Sequence, residues 1–594
     1  MNPEKLPRWA RSARSARMKT VALVASGALA VGALGACSVL EDDAAASTES
    51  SASSSGTAEV SATSSSGMTA AEVLAENLDA SETVAIADGT WDEADEVAID
   101  LDSPTTADGV EVDGDTVTLT APGTYRLSGT LAGQVVVESP DDGVVRLVLD
   151  GADITSGTGA AIDVQDADQV SVVLADGSTN RLEDASEYAD ASTDTDNPAN
   201  AALYSTADMA ISGSGALEVV GNANDGITGK DGLAITGGDI TVTAVDDGIR
   251  GKDYLVVTGG TVDVTSGGDG LKSDNDSDAT AGYIAVLDGE VTVAAGDDGA
   301  QAFTDIAIAG GDVTVTESEE GLEAAVIVVS DGAVDVTAND DGFNATVKEA
   351  EDDSTESTDG STPSEDAGAA GSEDGTEADG GTTEEWAGPG SGGPGGGGGG
   401  DMAVQEGASL TITGGTVSAV AGADGFDSNG VIEITGGTIV VEGSSGGGGD
   451  GALDANGTTT VSGGTILAVG NASTGSLDST HGWVVLEDTF PAGSTVEVTS
   501  ADGTVVASGV VGSDAAVAIT ADGITSGESY TVTVDGESVG TVTAEDAPAS
   551  SMGGMGGGRG GGQPPADGEM PGAGELPDGV QPPSGTTTDE STGT

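Results

Sequence analysis

The sequence predicts an all-β fold, a parallel β-helix of the solenoid type, from three observations. First, a sequence repeat of about 22 residues recurs between Asn222 and Asn344, for example as VDDGIRGKDYLVVTGGTVDVTS. Second, short β-branched runs in each repeat alternate apolar and polar residues and stop at Gly-Gly or Asp-Gly, which is typical of brief strands joined by tight turns. Third, aromatic residues make up 2% of the chain and glycines number 98, which suits a thin core of small side chains.

Acidic-Gly pairs mark the repeat. Their acids are separated by 22, 22, 29, 22 and 21 residues, and they are Asp225, Asp247, Asp269, Asp298, Glu320 and Asp341. Three short strands and three turns per repeat predict coils that stack at roughly 4.8 Å and hydrogen-bond to one another. The residue after each pair predicts an inward-facing apolar column: Ile227, Ile249, Leu271, Ala300, Leu322, Phe343, Phe426 and Ala452.

The first 36 residues are typical of an export signal. Six basic residues precede a short Gly/Ala-rich apolar run that ends in Leu34-Gly35-Ala36-Cys37. This ending resembles the bacterial lipobox, so residues 1–36 are expected to be a lipoprotein signal peptide, with lipid attached at Cys37. Plain secretion with an incidental cysteine is the alternative.

Composition divides the rest of the chain into seven segments. Thr69 and Glu72 match a capping box for a short helix that ends near Asp79. The predicted segments are a disordered tether at 37–68, an N-terminal helix, β cap and first irregular coils at 69–221, regular repeats at 222–348, a disordered acidic and Gly-rich insert at 349–400, further repeats at 401–470, a small β cap at 471–547, and a disordered Gly/Pro/Met-rich tail at 548–594.

Charge and composition exclude several classes of function. The net charge is −88, and because phosphate binding depends on clustered Lys and Arg, a nucleic-acid partner is excluded. A divalent cation is the natural counterpart of so many acids. His481 is the only histidine, so a His-based triad or a multi-His zinc site cannot be assembled.

The acidic turns predict a calcium site. Each repeat offers an acid at the turn and often a second oxygen donor about six residues later. Like charges that stack at strand spacing favour a shared hard cation with six to eight oxygen ligands. The candidate ligands of Ca2+ are Asp225, Asp231, Asp247, Asp253, Asp269, Asp274 and Asp276. Alternatively, Asp and Gly occupy these positions because they suit tight turns, and this interpretation is preferred for Asp424 and later turns.

Four of the nine basic residues after Cys37 fall in the same repeats. They are Lys230, Arg250, Lys252 and Lys272. Beside bound calcium they are candidates to bind the carboxylates of an acidic sugar polymer; alternatively they only neutralise neighbouring Asp side chains. Tyr254 is a candidate to stack on a sugar, although it also suits the edge of the core.

The segments TAPGTYRLSGTLAGQVVVES, LVLDGADITS, NAALYSTADMAISGSGALEV and NANDGITGKDGLAITGGDITVTAVDDGIRGKD closely resemble the family of bacterial carbohydrate-binding domain-containing proteins. The resemblance implies a right-handed parallel β-helix similar to pectate lyases, and calcium bound along it by the seven acids named above. It also implies affinity for plant polysaccharides such as cellulose or polygalacturonate, with no established catalysis. This chain departs from the pattern in its long acidic insert and at Glu320, where the partner acid is lost.

Three functions follow as hypotheses. The first is a monomeric, calcium-dependent polysaccharide-binding protein, held by lipid on the extracellular side of the cell membrane and without catalytic activity. The second is a calcium-dependent pectate-type lyase in which Lys252, Lys272 or Arg250 acts as the base. The third is an envelope spacer or adhesin that binds no glycan.

Overall fold

The computed structural model describes residues 69–87, 90–188, 198–348, 403–445, 450–473 and 475–548. These residues belong to one compact unit. The predicted signal peptide, Cys37, the tether, the insert and all but the first residue of the tail lie outside them. None of the helices in the described ranges has the length and apolar character that a membrane crossing requires.

Helices are confined to the N-terminal end of the described chain. They are α1 (Ala70–Leu74), α2 (Ser81–Ala87) and a 3-10 turn (Glu93–Asp95). The Thr69 N–H donates to the Glu72 carboxylate at 2.8 Å, which confirms the predicted capping box. Helix α1 ends five residues earlier than expected, and α2 was not predicted. We call residues 69–87 the N-terminal strap.

The largest sheet, sheet A, has 24 strands and is mainly parallel. Its strands are β1 (Val97–Asp100), β4 (Gly123–Leu131), β6 (Val144–Thr155), β8 (Gln169–Leu174), β9 (Thr179–Glu183), β11 (Met209–Gly213), β12 (Ala216–Gly221), β14 (Gly232–Ile235), β15 (Asp239–Ala244), β17 (Tyr254–Thr265), β19 (Tyr283–Ala294), β21 (Asp305–Ile308), β22 (Asp312–Glu317), β24 (Val326–Val329), β25 (Ala333–Ala338), β27 (Ser409–Ile412), β28 (Thr416–Ala421), β30 (Val431–Ile434), β31 (Thr438–Glu442), β33 (Thr458–Val461), β34 (Thr465–Val469), β35 (Ser476–Ser479), β36 (Trp483–Phe490) and β39 (Ala515–Ala521).

Sheet B has 13 strands, and sheet C has four. Sheet B contains β2 (Val110–Asp113), β3 (Thr116–Leu119), β5 (Gln134–Glu138), β7 (Ile162–Asp166), β10 (Ala201–Ser205), β13 (Asp225–Gly229), β16 (Ile249–Gly251), β18 (Leu271–Ser273), β20 (Ala300–Ala302), β23 (Leu322–Ala324), β26 (Phe343–Ala345), β29 (Phe426–Ser428) and β32 (Leu453–Ala455). Sheet C contains β37 (Thr495–Thr499), β38 (Val505–Val510), β40 (Ser529–Val534) and β41 (Glu537–Thr543).

The all-β class is confirmed, but the predicted right-handed parallel β-helix, with three separate strands in each coil, is wrong. In each repeat, two of the three predicted strands belong to one continuous sheet, sheet A. Strands β6, β17 and β19 are 12 residues long, and each covers both of these strand positions without a break; β17, for example, pairs with both β14 and β15. The predicted small β cap at residues 471–547 adjoins sheet A. Strand β39 pairs antiparallel with β34 and β36, so part of the cap belongs to sheet A.

Sheet B holds the predicted apolar column in register, and all of its members are buried. Ile227 pairs with Ile249, Ile249 with Leu271, and the register continues to Phe343 and Phe426. The last position is occupied by Leu453 instead of the predicted Ala452, because β32 is shifted by one residue relative to its Asp-Gly pair. Gly451 therefore takes the place that an acid holds in the earlier repeats.

Sheets A and B enclose one apolar core that runs from Ile99 to Ala518. Their close approach explains the glycine after each turn acid. A Cβ atom added to Gly248 would lie 2.3 Å from Cγ1 of Val264 and 2.6 Å from the carbonyl oxygen of Gly270. Any larger residue would separate the two sheets, so the Asp-Gly pairs are a packing requirement as well as a turn signal.

Candidate functional site

Two columns of polar side chains run along sheet B. The acid column stands where the sheet-B strands begin, and its members are Asp225, Asp247, Asp269, Asp298, Glu320, Asp341 and Asp424. The second column lies three residues further along each repeat, and register pairing joins its members: Thr228, Arg250, Lys272, Gln301, Glu323, Asn344, Asp427 and Asp454.

Backbone N–H groups link successive members of the acid column by hydrogen bonds to their carboxylates. The Asp269 N–H donates to Asp247 Oδ1 at 3.1 Å, and the Asp298 N–H donates to Asp269 Oδ1 at the same distance. The same contact joins the Asp424 N–H to Asp341 Oδ1 at 2.9 Å. One oxygen of these carboxylates therefore has a structural role, as the turn interpretation predicts, and the second oxygen is left for another partner.

In the early repeats, basic residues of the second column take that place. Lys272 Nζ lies 2.7 Å from Asp269 Oδ2 and 3.1 Å from Asp247 Oδ2, and Arg250 forms a bidentate ion pair with Asp274. Burial opposes the charge of Lys272, but the two carboxylates outweigh it and raise the pKa of Lys272. These contacts match the alternative interpretation, in which the basic residues neutralise neighbouring Asp side chains.

In the later repeats the second column is acidic or neutral, and the carboxylates converge. Carboxylate oxygens lie within 4.8 Å of one another in three groups: Asp269, Asp297 and Asp298; Asp298, Glu320 and Glu323; and Asp424, Asp427 and Asp454. Glu323 pairs with Lys348, whereas the ion pairs of the described residues include none to the third group. Each group offers only oxygen ligands.

Burial raises the pKa values of these acids. Desolvation, with Asp341 and Asp454 nearby, raises the pKa of Asp424 to about 8, and the same causes raise the pKa of Asp427 to about 7. Desolvation and the nearby Asp298 raise the pKa of Glu320 to about 7. The late parts of both columns therefore hold carboxylates that strongly favour either a proton or a cation.

Two buried oxygens in this region have no hydrogen-bond partner among the described residues. Glu320 Oε1 accepts a bond from Asn344 Nδ2 at 3.0 Å, but Glu320 Oε2 has none. Asn344 Oδ1, which stands between Glu323 and Asp427 in the second column, has none either. A buried oxygen without a hydrogen-bond partner lowers the stability of the fold unless a further group or ion binds to it.

The seven acids predicted as calcium ligands do not form one site. Asp225 is buried and bonds to Asn200 Nδ2 at 2.7 Å and to Thr228 Oγ1 at 2.8 Å, and desolvation with the nearby Asp247 raises its pKa to about 6. Asp253 accepts a bond from Asn275 Nδ2 at 2.5 Å. Asp231 is exposed and Asp276 half-buried, and both take part in interactions.

Of the five residues predicted to bind substrate, the four basic ones lie in neighbouring repeats, and Tyr254 lies apart from them. Arg250 and Lys272 are engaged in the ion pairs above. Lys230 and Lys252 lie in adjacent turns, where the Lys252 N–H donates to Gly229 O at 2.9 Å. Desolvation, with Arg250 and Lys252 nearby, lowers the pKa of Lys230.

Tyr254 lies on the opposite side of the protein core, under the N-terminal strap. It stacks on Tyr283 with ring centroids 5.5 Å apart, and its hydroxyl lies 2.7 Å from Thr83 Oγ1. Apolar residues of the strap, including Leu74 and Val84, pack against the two rings. The strap thus covers Tyr254, which is 6% exposed, and this packing matches the edge-filling interpretation.

Sequence reasoning gave too little weight to the late acids. A signal for them is present, because acids three residues apart, as in Glu320-Gly-Leu-Glu323 and Asp424-Gly-Phe-Asp427, bring both columns together. This spacing does not predict Asp454, because its position depends on the one-residue shift of β32.

Comparison with known proteins gives a consistent family. Residues 113–360 match the family described as carbohydrate-binding domain-containing protein. A protein of that description from Acetivibrio thermocellus is 43% identical over 138 residues, which are 23% of this chain and 48% of the relative. The match thus spans about half the length of that relative.

A solved structure is also similar. It is described as the polysaccharide lyase-like protein from C. thermocellum in a gadolinium derivative, and it is 33% identical. The alignment covers 38% of this chain and 96% of that chain, with a TM-score of 0.34. On the family match and the curated relative, residues 113–360 of the chain are similar to the carbohydrate-binding domain-containing proteins.

Proposed function

We propose that this protein binds polysaccharide with the help of calcium, without catalysing a reaction on it, as a monomer on the outer cell surface. The similarity of residues 113–360 to carbohydrate-binding domain-containing proteins supports the glycan as partner. The sequence around Cys37 supports export and a lipid anchor.

The observation that carries the calcium proposal is the convergence of Asp424, Asp427 and Asp454. Their carboxylate oxygens lie within 4.8 Å of one another, and no ion pair of the described residues offsets their charge. Three carboxylates at such distances repel one another strongly in a partly buried site. A bound cation removes that repulsion.

The donor set fits calcium better than a transition metal. All ligands are carboxylate or amide oxygens, which are the ligands of hard cations, whereas zinc sites of proteins use His and Cys. Asp427 and Asp454 would hold the ion together with the free oxygen of Asp424, because Asp424 Oδ1 accepts the Gly451 N–H at 2.5 Å. The second group, at Asp298 and Glu320, offers a further site, which the unpartnered Glu320 Oε2 supports.

Lys230 and Lys252 are the basic residues best placed for an acidic glycan. Both are half-buried, they lie in adjacent turns, and the ion pairs of the described residues involve other cations. A uronate carboxylate between them would offset the desolvation and the repulsion from Arg250 and Lys252 that lower the pKa of Lys230.

The geometry supports the binding proposal over the lyase. Two of the three predicted bases, Lys272 and Arg250, are fixed in ion pairs, and the carboxylates beside them raise their pKa values against the effect of burial. A general base at neutral pH needs a lowered pKa. Incubation with polygalacturonate and calcium should therefore leave the ultraviolet absorbance of unsaturated products at background.

Calcium titration by calorimetry tests the proposal. The wild-type chain should bind calcium, and the double variant Asp424→Asn/Asp427→Asn should lose the heat of at least one site. The matched control Asp141→Asn/Asp142→Asn removes two exposed acids from a turn far along the chain from the cluster, and it should titrate like wild type. Equal heats for wild type and the Asp424/Asp427 variant would refute the site, and no calcium heat in any protein would refute the proposed calcium dependence.

A further inference from the structure

The outer side of sheet A has two halves of opposite character. Under the N-terminal strap, the outward residues are small or apolar and buried, among them Ala210, Ala234 and Ala307. The half formed by β12, β15, β22, β25, β28 and the second parts of β17 and β19 carries Thr, Asp and Glu instead. We call this half the Thr/Asp face.

The Thr/Asp face is a regular array, because the strands pair in register. One column contains Glu218, Thr241, Asp263, Thr292, Thr314, Asp335 and Ser418. Its neighbour contains Asp239, Thr261, Glu290, Asp312 and Thr416, with Ala333 between the last two. Seven strands at the usual parallel spacing extend the array over about 30 Å. The face ends at β31, where Val440 and the cap core cover the sheet.

Glu218 at the edge of this face pairs with Arg181 of β9, but within the described residues the other polar groups of the face are free to bind a ligand. Thr241 and Asp263 are exposed, and Thr292 is half-exposed. Within the described residues their side chains have no hydrogen-bond partner, in contrast to Thr316, whose Oγ1 donates to Val293 O at 3.0 Å. The inward residues of the same strands are apolar, so the hydroxyl array is not needed for the core.

An open groove runs along the edge of the array. Its volume is about 530 Å³, and it is lined by glycine turns such as Gly289 and Gly311 and by Asp288, Glu290 and Asp312. Both glycines have positive φ angles, and added Cβ atoms would lie within about 3 Å of the backbone of the preceding turn. The groove floor is thus kept free of side chains.

We infer that the Thr/Asp face and its groove bind an extended, uncharged polysaccharide. This inference rests on the proposed glycan-binding function and assigns a surface to one class of glycan. Carboxylates accept hydrogen bonds from sugar hydroxyls, and threonine hydroxyls both donate and accept them. From β15 to β28 the face carries acids and no Lys or Arg, so its charge there disfavours an acidic glycan, which the Lys230 and Lys252 turns suit better.

Cosedimentation with microcrystalline cellulose tests this inference. The variant Glu290→Ala/Asp312→Ala removes two acids that pair directly in register, so the loss of like-charge repulsion preserves the fold. The variant Thr292→Val/Thr314→Val removes only hydroxyls and keeps β-branched side chains. Each should reduce the bound fraction at least threefold, while Asp141→Ala/Asp142→Ala, which removes equal charge elsewhere, should not change it.

The outcomes separate this inference from the proposed function. Binding of the wild type to calcium polygalacturonate but not to cellulose would overturn the Thr/Asp face and leave glycan binding intact. Equal cellulose binding by wild type and both face variants would also overturn it. A change of oligomeric state in the face variants, with cellulose binding unchanged, would make the face a self-association surface and overturn the inference. Failure of the wild type to sediment with either polysaccharide would overturn the proposed function itself.

Discussion

Replacing Lys272 by methionine tests the charge compensation in the early repeats. The side chain of Lys272 is 22% exposed and the carboxylate of Asp269 is 1% exposed, so both charges are largely removed from water. Methionine preserves most of the aliphatic stem but leaves Asp247 and Asp269 without their shared cation. We expect Lys272→Met to destabilise the protein strongly near neutral pH.

The magnitude follows from the burial and the ionisation of the pair. Removing one partner of a buried ion pair costs about 3–5 kcal/mol, because the remaining charge is buried without compensation. Desolvation outweighs the attraction of Lys272 and raises the pKa of Asp269 to about 6, so Asp269 is charged at pH 8. Since Lys272 lowers that pKa, the variant protonates Asp269 more readily, and at pH 5 the cost should fall to about 1 kcal/mol of lost packing.

Urea unfolding at pH 5 and pH 8, in the presence of a chelator, measures both costs. Lys252→Met is the matched control, because Lys252 lies in the neighbouring repeat and forms none of the ion pairs of the described residues; it should cost less than about 1 kcal/mol at either pH. Equal losses for Lys272→Met and Lys252→Met at pH 8, or a loss for Lys272→Met that does not depend on pH, would refute the proposed compensation.

Three further predictions address the late acids, the turns and the strap. Because the folded pKa values of Asp424 and Asp427, about 8 and about 7, exceed those of the unfolded chain, the folded state holds more protons, and stability without calcium should fall as pH rises above about 4, by up to about 1.4 kcal/mol per pH unit for each group until the pH reaches the folded pKa of that group; a urea midpoint that rises over this range would contradict it. Gly248→Ala should lower the free energy of unfolding by about 1–3 kcal/mol, because its Cβ would overlap Val264, whereas the control Gly157→Ala, which meets nothing within 4 Å, should be neutral in the same urea experiment. Tyr254→Phe should lower the free energy of unfolding by at least about 1 kcal/mol, because the hydroxyl contacts Thr83 and also donates to Asp208 Oδ1; proteolysis of the strap at an unchanged rate would argue against the contact with Thr83.

The period and the alternation of the sequence predict most of the strands but not their sheets. Each repeat contains the expected apolar residues, and the column from Ile227 to Phe426 is in the expected register. What periodicity cannot show is whether a Gly-Gly turn ends a strand or only bends it. At Gly259-Gly260 the strand β17 continues through the turn, which joins two expected faces into one sheet.

The sequence predicts those features of the candidate site that lie within one repeat. It does not predict the contacts that form between repeats, because these depend on the register of the strands. The turn acids are visible in the sequence, and so are the basic residues near Asp247 and Asp269. The pairing of Lys272 with both of these acids, however, arises only when successive repeats stack. The late cluster depends further on the shift that places Asp454 beside Asp427, and the covering of Tyr254 depends on a strap more than 170 residues earlier in the chain.

Cosedimentation of the full chain with polygalacturonate gel, in calcium and then in excess chelator, tests the central claim most directly. The proposed function predicts that the protein sediments with the gel in calcium, and that chelator releases most of it even when magnesium holds the gel together. Retention of the protein on the magnesium gel after removal of calcium would contradict the calcium dependence. No sedimentation with this gel or with cellulose in calcium would contradict polysaccharide binding altogether.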